Sequence, residues 1–211
     1  MGARQIFLLR HGEVAGAPAL YGRTDVQLSD KGFAQLKQQC STLPTATKIV
    51  CSPLRRCSVF AQQLAAEYGL KAQVNAGFQE IDFGLYDGKP YDSLSAEDWQ
   101  KLELFWHDPL ANTLPQAEPL HDMYQRVSNA WRTLLTNQDS GVTLVVTHGG
   151  VIRLLIAHIL NFDWRNPALY SQFRIGYGSQ TLVTLADYKD AQPMIEYVGK
   201  PVEHLTEGMS K

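Results

Sequence analysis

Ile6-Phe7-Leu8-Leu9-Arg10-His11-Gly12-Glu13 is an apolar run that breaks at once into a charged, glycine-containing turn. A short buried strand ending in this way delivers a side chain to the carboxyl edge of a sheet, where α/β proteins usually bind ligands. His11 stands at that edge. Near neutral pH an imidazole can attack as a nucleophile, shuttle a proton or bind a metal, and the Arg10 guanidinium beside it selects for an anion. A strand-end histidine can equally be a hydrogen-bonded surface residue, so three residues do not decide the matter.

A second break of the same kind lies far along the chain. The continuous apolar and β-branched run 142–147 reads as a central strand covered on both faces, and it delivers His148-Gly149-Gly150 into a helix expected over 151–160. Glycines there let backbone N–H groups approach an anion at a helix N-terminus, and His148 can add a charge-assisted hydrogen bond. Arg153 and His158, on that helix, read as structural.

The intervening segments supply further candidates. Residues 12–27 read as a long loop over the site, of the length that tends to be functional. Ser29 caps a helix with apolar positions Phe33, Leu36, Cys40 and Leu43, ended by Pro44. After a short strand over 48–51, Ser52-Pro53 reads as cap and first residue of a helix running to Tyr68, with Gly69 stopping it. Arg55 and Arg56 fall in its first turn, where the helix dipole disfavours cations. Either an anion binds nearby or the two are solvated. A strand is expected over 72–74. In Phe78-Gln79-Glu80-Ile81-Asp82-Phe83-Gly84-Leu85-Tyr86-Asp87-Gly88, acidic residues sit among aromatics and glycines, so Glu80 could be a desolvated general acid or half of a salt bridge.

Helices are expected over 95–106 and 120–137, joined by a loop over 108–119, as a pair able to form a lid. The stripe Met123, Val127, Ala130, Trp131 and Leu134 reads as core. His107 and His121 have no partner at metal spacing. Strands are expected over 180–186 and 194–198, followed by a polar tail expected to be mobile.

With 211 residues, 45% hydrophobic and 19% charged, and a formal net charge of -2, the chain is sized for one domain and lacks the basic balance of a nucleic-acid binder. Cys40, Cys51 and Cys57 are an odd number without Cys-x-x-Cys spacing, which suggests neither a disulfide framework nor a structural zinc site. No signal peptide or membrane span is visible, so a soluble, cytoplasmic protein with no nucleic-acid or membrane partner is expected.

Taken together, Leu9-Arg10-His11-Gly12-Glu13, Ser52-Pro53-Leu54-Arg55-Arg56-Cys57, Glu80 ahead of Phe83-Gly84-Leu85-Tyr86-Asp87-Gly88, and Thr147-His148-Gly149-Gly150-Val151-Ile152-Arg153 resemble the histidine phosphatase, or phosphoglycerate mutase-like, superfamily. The resemblance implies an α/β fold, a three-layer α/β/α sandwich around a mostly parallel sheet, as one domain over 1–211 with a helical cap over 93–137. It implies His11 as the phosphorylated nucleophile and Glu80 as proton donor, with Asp82 next in line. Arg10, Arg56, His148 and Gly149 would hold the phosphate through two guanidiniums and an imidazolium, with no metal or other cofactor. Many members carry Asn six residues after the nucleophile, where this chain has Ala17. Tyr21 and Arg23 are the local candidates to replace that contact.

Within the superfamily, Leu114-Pro115-Gln116-Ala117-Glu118 leading to Arg126-Val127 looks like the α-ribazole-5'-phosphate phosphatases of cobalamin assembly, although those usually have Gly where Ala117 stands. Glu118 would cap the next helix or accept from a ribose hydroxyl. A cofactor-dependent phosphoglycerate mutase is the alternative, and a catalytically silent phospho-ligand binder is the alternative of another class. A mutase needs extra cations for a second phosphate. Beyond Arg10 and Arg56, the loop over 12–27 offers only Arg23 and the segment 93–119 only Lys101. A small phosphomonoester is the expected substrate, and Trp99, Phe105 or Trp106 could stack on a planar base.

Overall fold

A six-stranded mixed sheet organises the chain, in the order β3-β2-β4-β1-β5-β6. The computed structural model describes residues 4–136, 141–188 and 191–202. The central strand β1 (Arg4–Arg10) pairs in parallel with β4 (Val142–Thr147), so that Arg10 sits opposite Thr147 and the two histidine turns leave the sheet side by side. Strands β2 (Lys48–Cys51) and β3 (Gln73–Val74) continue the parallel half, while β5 (Gln180–Leu185) runs antiparallel to β1 and β6 (Met194–Lys200) antiparallel to β5.

Strand alternation produces the layers. Ile6 and Leu8 of β1, Val50 of β2 and Val145 of β4 face one core, and Phe7, Leu9, Ile49, Cys51, Leu144 and Val146 face the other. The second face is covered by α1 (Asp30–Ser41) and α2 (Arg55–Glu67), through Leu36, Cys40, Cys57, Phe60 and Leu64. The first is covered by α4 (Leu120–Thr136) and α5 (Gly149–Ile159), giving the expected α/β/α sandwich. Helix α3 (Ala96–His107) instead builds a separate small cluster of Leu102, Phe105, Tyr86 and Leu114. A one-turn helix, α6 (Ala168–Ser171), follows α5.

Two local expectations are corrected by these contacts. The cap expected over 93–137 divides: α3 stands apart, whereas the stripe of α4, with Met123 1%, Val127 1% and Trp131 2% exposed, belongs to the main core. Trp131→Ala should therefore cost about 3–5 kcal/mol, read as a lowered denaturation midpoint, and a loss within about 0.5 kcal/mol would mark α4 as peripheral. At the second site, α2 starts at Arg55 with Leu54 as its N-cap and no side-chain cap, so Ser52 lies ahead of the cap position, its hydroxyl 2.8 Å from His148 Nε2. Ser29 does cap α1, accepting from the Gly32 amide, and Ser95 caps α3 in a reciprocal capping box with Asp98. The tail beyond residue 202 and the expected helix end at Asn137 lie outside the described residues.

Candidate active site

His11 is 5% exposed and sits just past the end of β1, with its amide bonded to the Thr147 carbonyl at 2.9 Å. Gly12 allows the tight turn, since a Cβ there would collide with the Gly32 backbone. The ring's Nδ1 lies 2.8 Å from the Gly12 carbonyl. A carbonyl only accepts, so Nδ1 carries the proton and Nε2 keeps its lone pair. Burial, then the charges of Arg10 and Arg56, push the His11 pKa well down. The ring is neutral, as a nucleophile must be.

Cations surround it. The Arg10 guanidinium donates to the Ile175 carbonyl and lies 4.1 Å over the Tyr177 ring. Arg56 is fully buried, and its two terminal nitrogens donate to the carbonyls of Thr24 (2.9 Å), Tyr21 (2.8 Å) and Gly22 (2.6 Å). The strand-to-helix turn after β2 thus aims Arg56 inward, which accounts for a cation in the first turn of α2. His148 is fully buried, 5.2 Å from His11 between ring centroids, with Nε2 2.8 Å from Ser52 Oγ. Arg10 Nε, Arg56 Nε and His148 Nδ1 are buried without a partner among the described residues. Buried polar atoms are almost always paired, and two unpaired guanidinium N–H donors with an unpaired imidazole nitrogen beside His11 suit an oxyanion.

One electrostatic expectation is reversed. His148 is a neutral imidazole in the free protein, because burial first and then Arg56, His11, Arg10 and Arg126 depress its pKa well below 6.5. Both rings thus bury uncharged, while the unfolded chain takes up protons near 6.5. The unfolded state then binds more protons, so this contribution to stability is complete above the unfolded value and is lost as pH falls towards the depressed folded values. Denaturation midpoints should fall between about pH 7 and about pH 5, and fall less in His148→Gln. Parallel pH slopes in the two proteins would contradict a neutral buried His148.

Glu80 faces the same cavity. Its Oε2 accepts from the Gly150 amide at 3.1 Å and Oε1 from the Ile81 amide at 3.1 Å. A Cβ on Gly150 would displace Oε1 from its present place, and the Gly150 N–H serves Glu80 rather than an anion. Arg126 holds the Glu80 segment from behind. It donates to the carbonyls of Gly77, Gln79 and Glu80 and pairs with both oxygens of Glu118, at 2.6 and 2.7 Å. Glu118 therefore neither caps α4 nor stands free for a ribose hydroxyl.

The cavity measures about 340 Å³. Arg10, His11, Glu80, Gly149 and Tyr21 line it, whereas Arg56 and His148 are fully buried and not part of that lining. Tyr21 donates its hydroxyl to the Ala17 carbonyl at 2.5 Å, so it packs on the position where Asn was expected. Arg23 does not join the site: its side chain is 68% exposed and pairs with Asp82 at 3.0 Å, which also withdraws Asp82 as a reserve acid. Lys101 pairs with Glu97 on the surface of α3. Arg153, read as structural, instead lines the wall beside Tyr170 and Tyr177. Its Nε donates to the Phe173 carbonyl at 2.8 Å, and its Nη1 and Arg10 Nε lie 3.3 and 3.5 Å from where a Cβ on Gly149 would be. Phe83, Tyr91, Phe105 and Trp106 form an aromatic wall, which Trp99 does not reach. Among the described residues no group of three or more His, Cys, Asp or Glu is placed to hold a metal ion, and no helix is long and apolar enough to cross a membrane.

Residues 6–199 match the family model of the histidine phosphatase superfamily (branch 1). A probable phosphoglycerate mutase GpmB of Erwinia tasmaniensis is 29% identical over 163 residues, covering 74% of each chain. Among solved structures, a mycobacterial glucosyl-3-phosphoglycerate phosphatase superposes with a TM-score of 0.78 at 22% identity, over 94% of this chain and 100% of that one. A candidate alpha-ribazole-5'-P phosphatase from Escherichia coli superposes with a TM-score of 0.75 at 22% identity, over 96% and 100%. These structural likenesses establish the shared fold.

Proposed function

The chain belongs to the histidine phosphatase superfamily, branch 1, and on that footing we propose that it is a phosphomonoesterase working through a phosphohistidine at His11. One observation carries the reading: a buried neutral imidazole, its Nδ1 proton spent on Gly12, presents Nε2 beside two unpaired buried guanidinium N–H groups and an unpaired buried imidazole nitrogen. Nε2 attacks phosphorus, the ester P–O bond breaks, and the Glu80 carboxyl proton passes to the departing alkoxide. The Glu80 carboxylate then takes a proton from water, whose oxygen attacks phosphorus and breaks the P–N bond. Phosphate leaves, and both groups return to their starting state. Arg10, Arg56, His148 and Gly149 hold the phosphoryl oxygens, which is positioning and charge stabilisation that needs no metal ion.

For the leaving group, the aromatic wall favours a planar base, and α-ribazole 5'-phosphate is the proposed substrate. Arg153 favours a second reading, since it adds to the cavity wall the cation a mutase needs for a second acidic group, and several relatives are named as mutases. Phosphate release from α-ribazole 5'-phosphate, compared with isomerisation of 3-phosphoglycerate primed by 2,3-bisphosphoglycerate, separates the two. Phosphate release should dominate, and efficient isomerisation with little release would establish the mutase. Arg153→Ala should weaken kcat/KM for any acid-bearing substrate by about ten- to a hundredfold and leave p-nitrophenyl phosphate within about threefold. An equal loss on both would move Arg153 to the transferred phosphate.

A further inference from the structure

Ser52 is fully buried at the carboxyl end of β2, where its amide is fixed on the Val146 carbonyl at 3.0 Å. Its hydroxyl has one proton to give. Oγ accepts from the Leu54 amide at 3.4 Å and lies 2.8 Å from His148 Nε2. The neighbouring Cys57 thiol, 3.6 Å from the same ring nitrogen, is turned to the Thr147 carbonyl at 3.5 Å, and burial keeps it protonated. Were Nε2 to carry the ring proton, the Ser52 proton would be left with only the Cys57 sulfur, a weak acceptor, and the buried, unpaired Nδ1 would have no proton to offer an oxyanion. When Ser52 donates to Nε2, the ring proton moves to Nδ1, and every donor in the group is directed to an acceptor or to the anion pocket.

We propose that Ser52 is a positioning residue whose hydroxyl donates to His148 Nε2, locking the ring in its Nδ1–H tautomer so that an uncharged imidazole serves as an oxyanion donor. The device explains how a histidine faced by Arg56 and Cys57 from α2, Arg10 from β1, His11 just past that strand, and Arg126 from α4 can bind phosphate without a third positive charge. The proposal rests on His148 as a phosphate ligand, but the tautomer is measurable with no ligand present, so the two can fail separately.

Nitrogen-15 spectra of the free native protein, with His148 assigned by comparison with His148→Gln, should show a protonated Nδ1 and an unprotonated Nε2. A protonated Nε2 overturns the proposal without recourse to any Ser52 variant. In Ser52→Ala the neutral ring loses its lock, so donation to the anion draws on a tautomer no longer favoured or on protonation of the ring, which a bound anion promotes. Affinity for inorganic phosphate should fall about tenfold near pH 8, and the deficit should shrink as pH is lowered towards about 6. A deficit equal at both pH values, or no deficit at either, overturns the proposal.

Discussion

His11→Ala should abolish turnover, by roughly 10⁴-fold or more in kcat, while leaving inorganic phosphate bound. The size of the effect follows from the absence of a substitute. His148 is fully buried, with Nε2 held by Ser52, and the Tyr177 ring, centred 5.5 Å from that of His11, is occupied by Arg10 stacking. The pocket survives the substitution, because Arg56 is anchored on three carbonyls of the 21–24 loop and Arg10 on Ile175, neither through His11. Binding and chemistry should therefore part company in this variant. Acid quenching within milliseconds of mixing native protein with labelled phosphomonoester should trap label that is lost in acid and retained in base. Label of that kind in His11→Ala, or a kcat reduced less than about tenfold, would show that another group forms the intermediate.

Most of this site is local in origin, which is why the sequence discloses it. The strand β4 and the turn into α5 are encoded by a largely β-branched run followed by His148 and two glycines, and the parallel register with β1 brings His148 against His11. Ser29 and Ser95 stand directly before their helices and cap them, accepting from the Gly32 and Asp98 amides while their hydroxyl protons go to Glu13 and Asp98. Ser52 has the same local signal, yet a residue ninety-six positions away takes its hydroxyl, and no local rule anticipates that. Tyr177 is similarly invisible beforehand: it reaches Arg10 only because β5 returns antiparallel beside β1. The role of α4 was more legible than the expected cap allowed. Its apolar stripe at helical spacing indicates burial against a sheet, and the amphipathic face does pack there. Glu118 and Arg126, eight residues apart, could not be paired by helical spacing, because Glu118 precedes the helix that carries Arg126.

Glu80→Gln should slow alkyl phosphates by about 10²–10⁴-fold and aryl phosphates such as p-nitrophenyl phosphate far less, because a stable phenolate leaves without being protonated. The substitution keeps the side chain's size and one carbonyl oxygen, enough to accept from either the Gly150 or the Ile81 amide, while Arg126 continues to hold the segment through backbone carbonyls. Its effect should thus fall on proton transfer rather than on the shape of the site, and inorganic phosphate should bind as in the native protein. The second half-reaction supplies an internal control. Hydrolysis of phosphohistidine also needs a base for water, so with aryl phosphates the variant should show a burst of phenolate followed by a slow steady rate, as dephosphorylation becomes limiting. Arg56→Ala should behave differently, weakening both substrate classes alike, because it removes a phosphate ligand and leaves the Thr24, Tyr21 and Gly22 carbonyls without their donor. Equal slowing of alkyl and aryl substrates in Glu80→Gln, with no burst, would remove Glu80 from the proton path. Asp82, bound to Arg23 on the outer side of the loop, could not take its place without breaking that pair, so the donor would then have to be solvent.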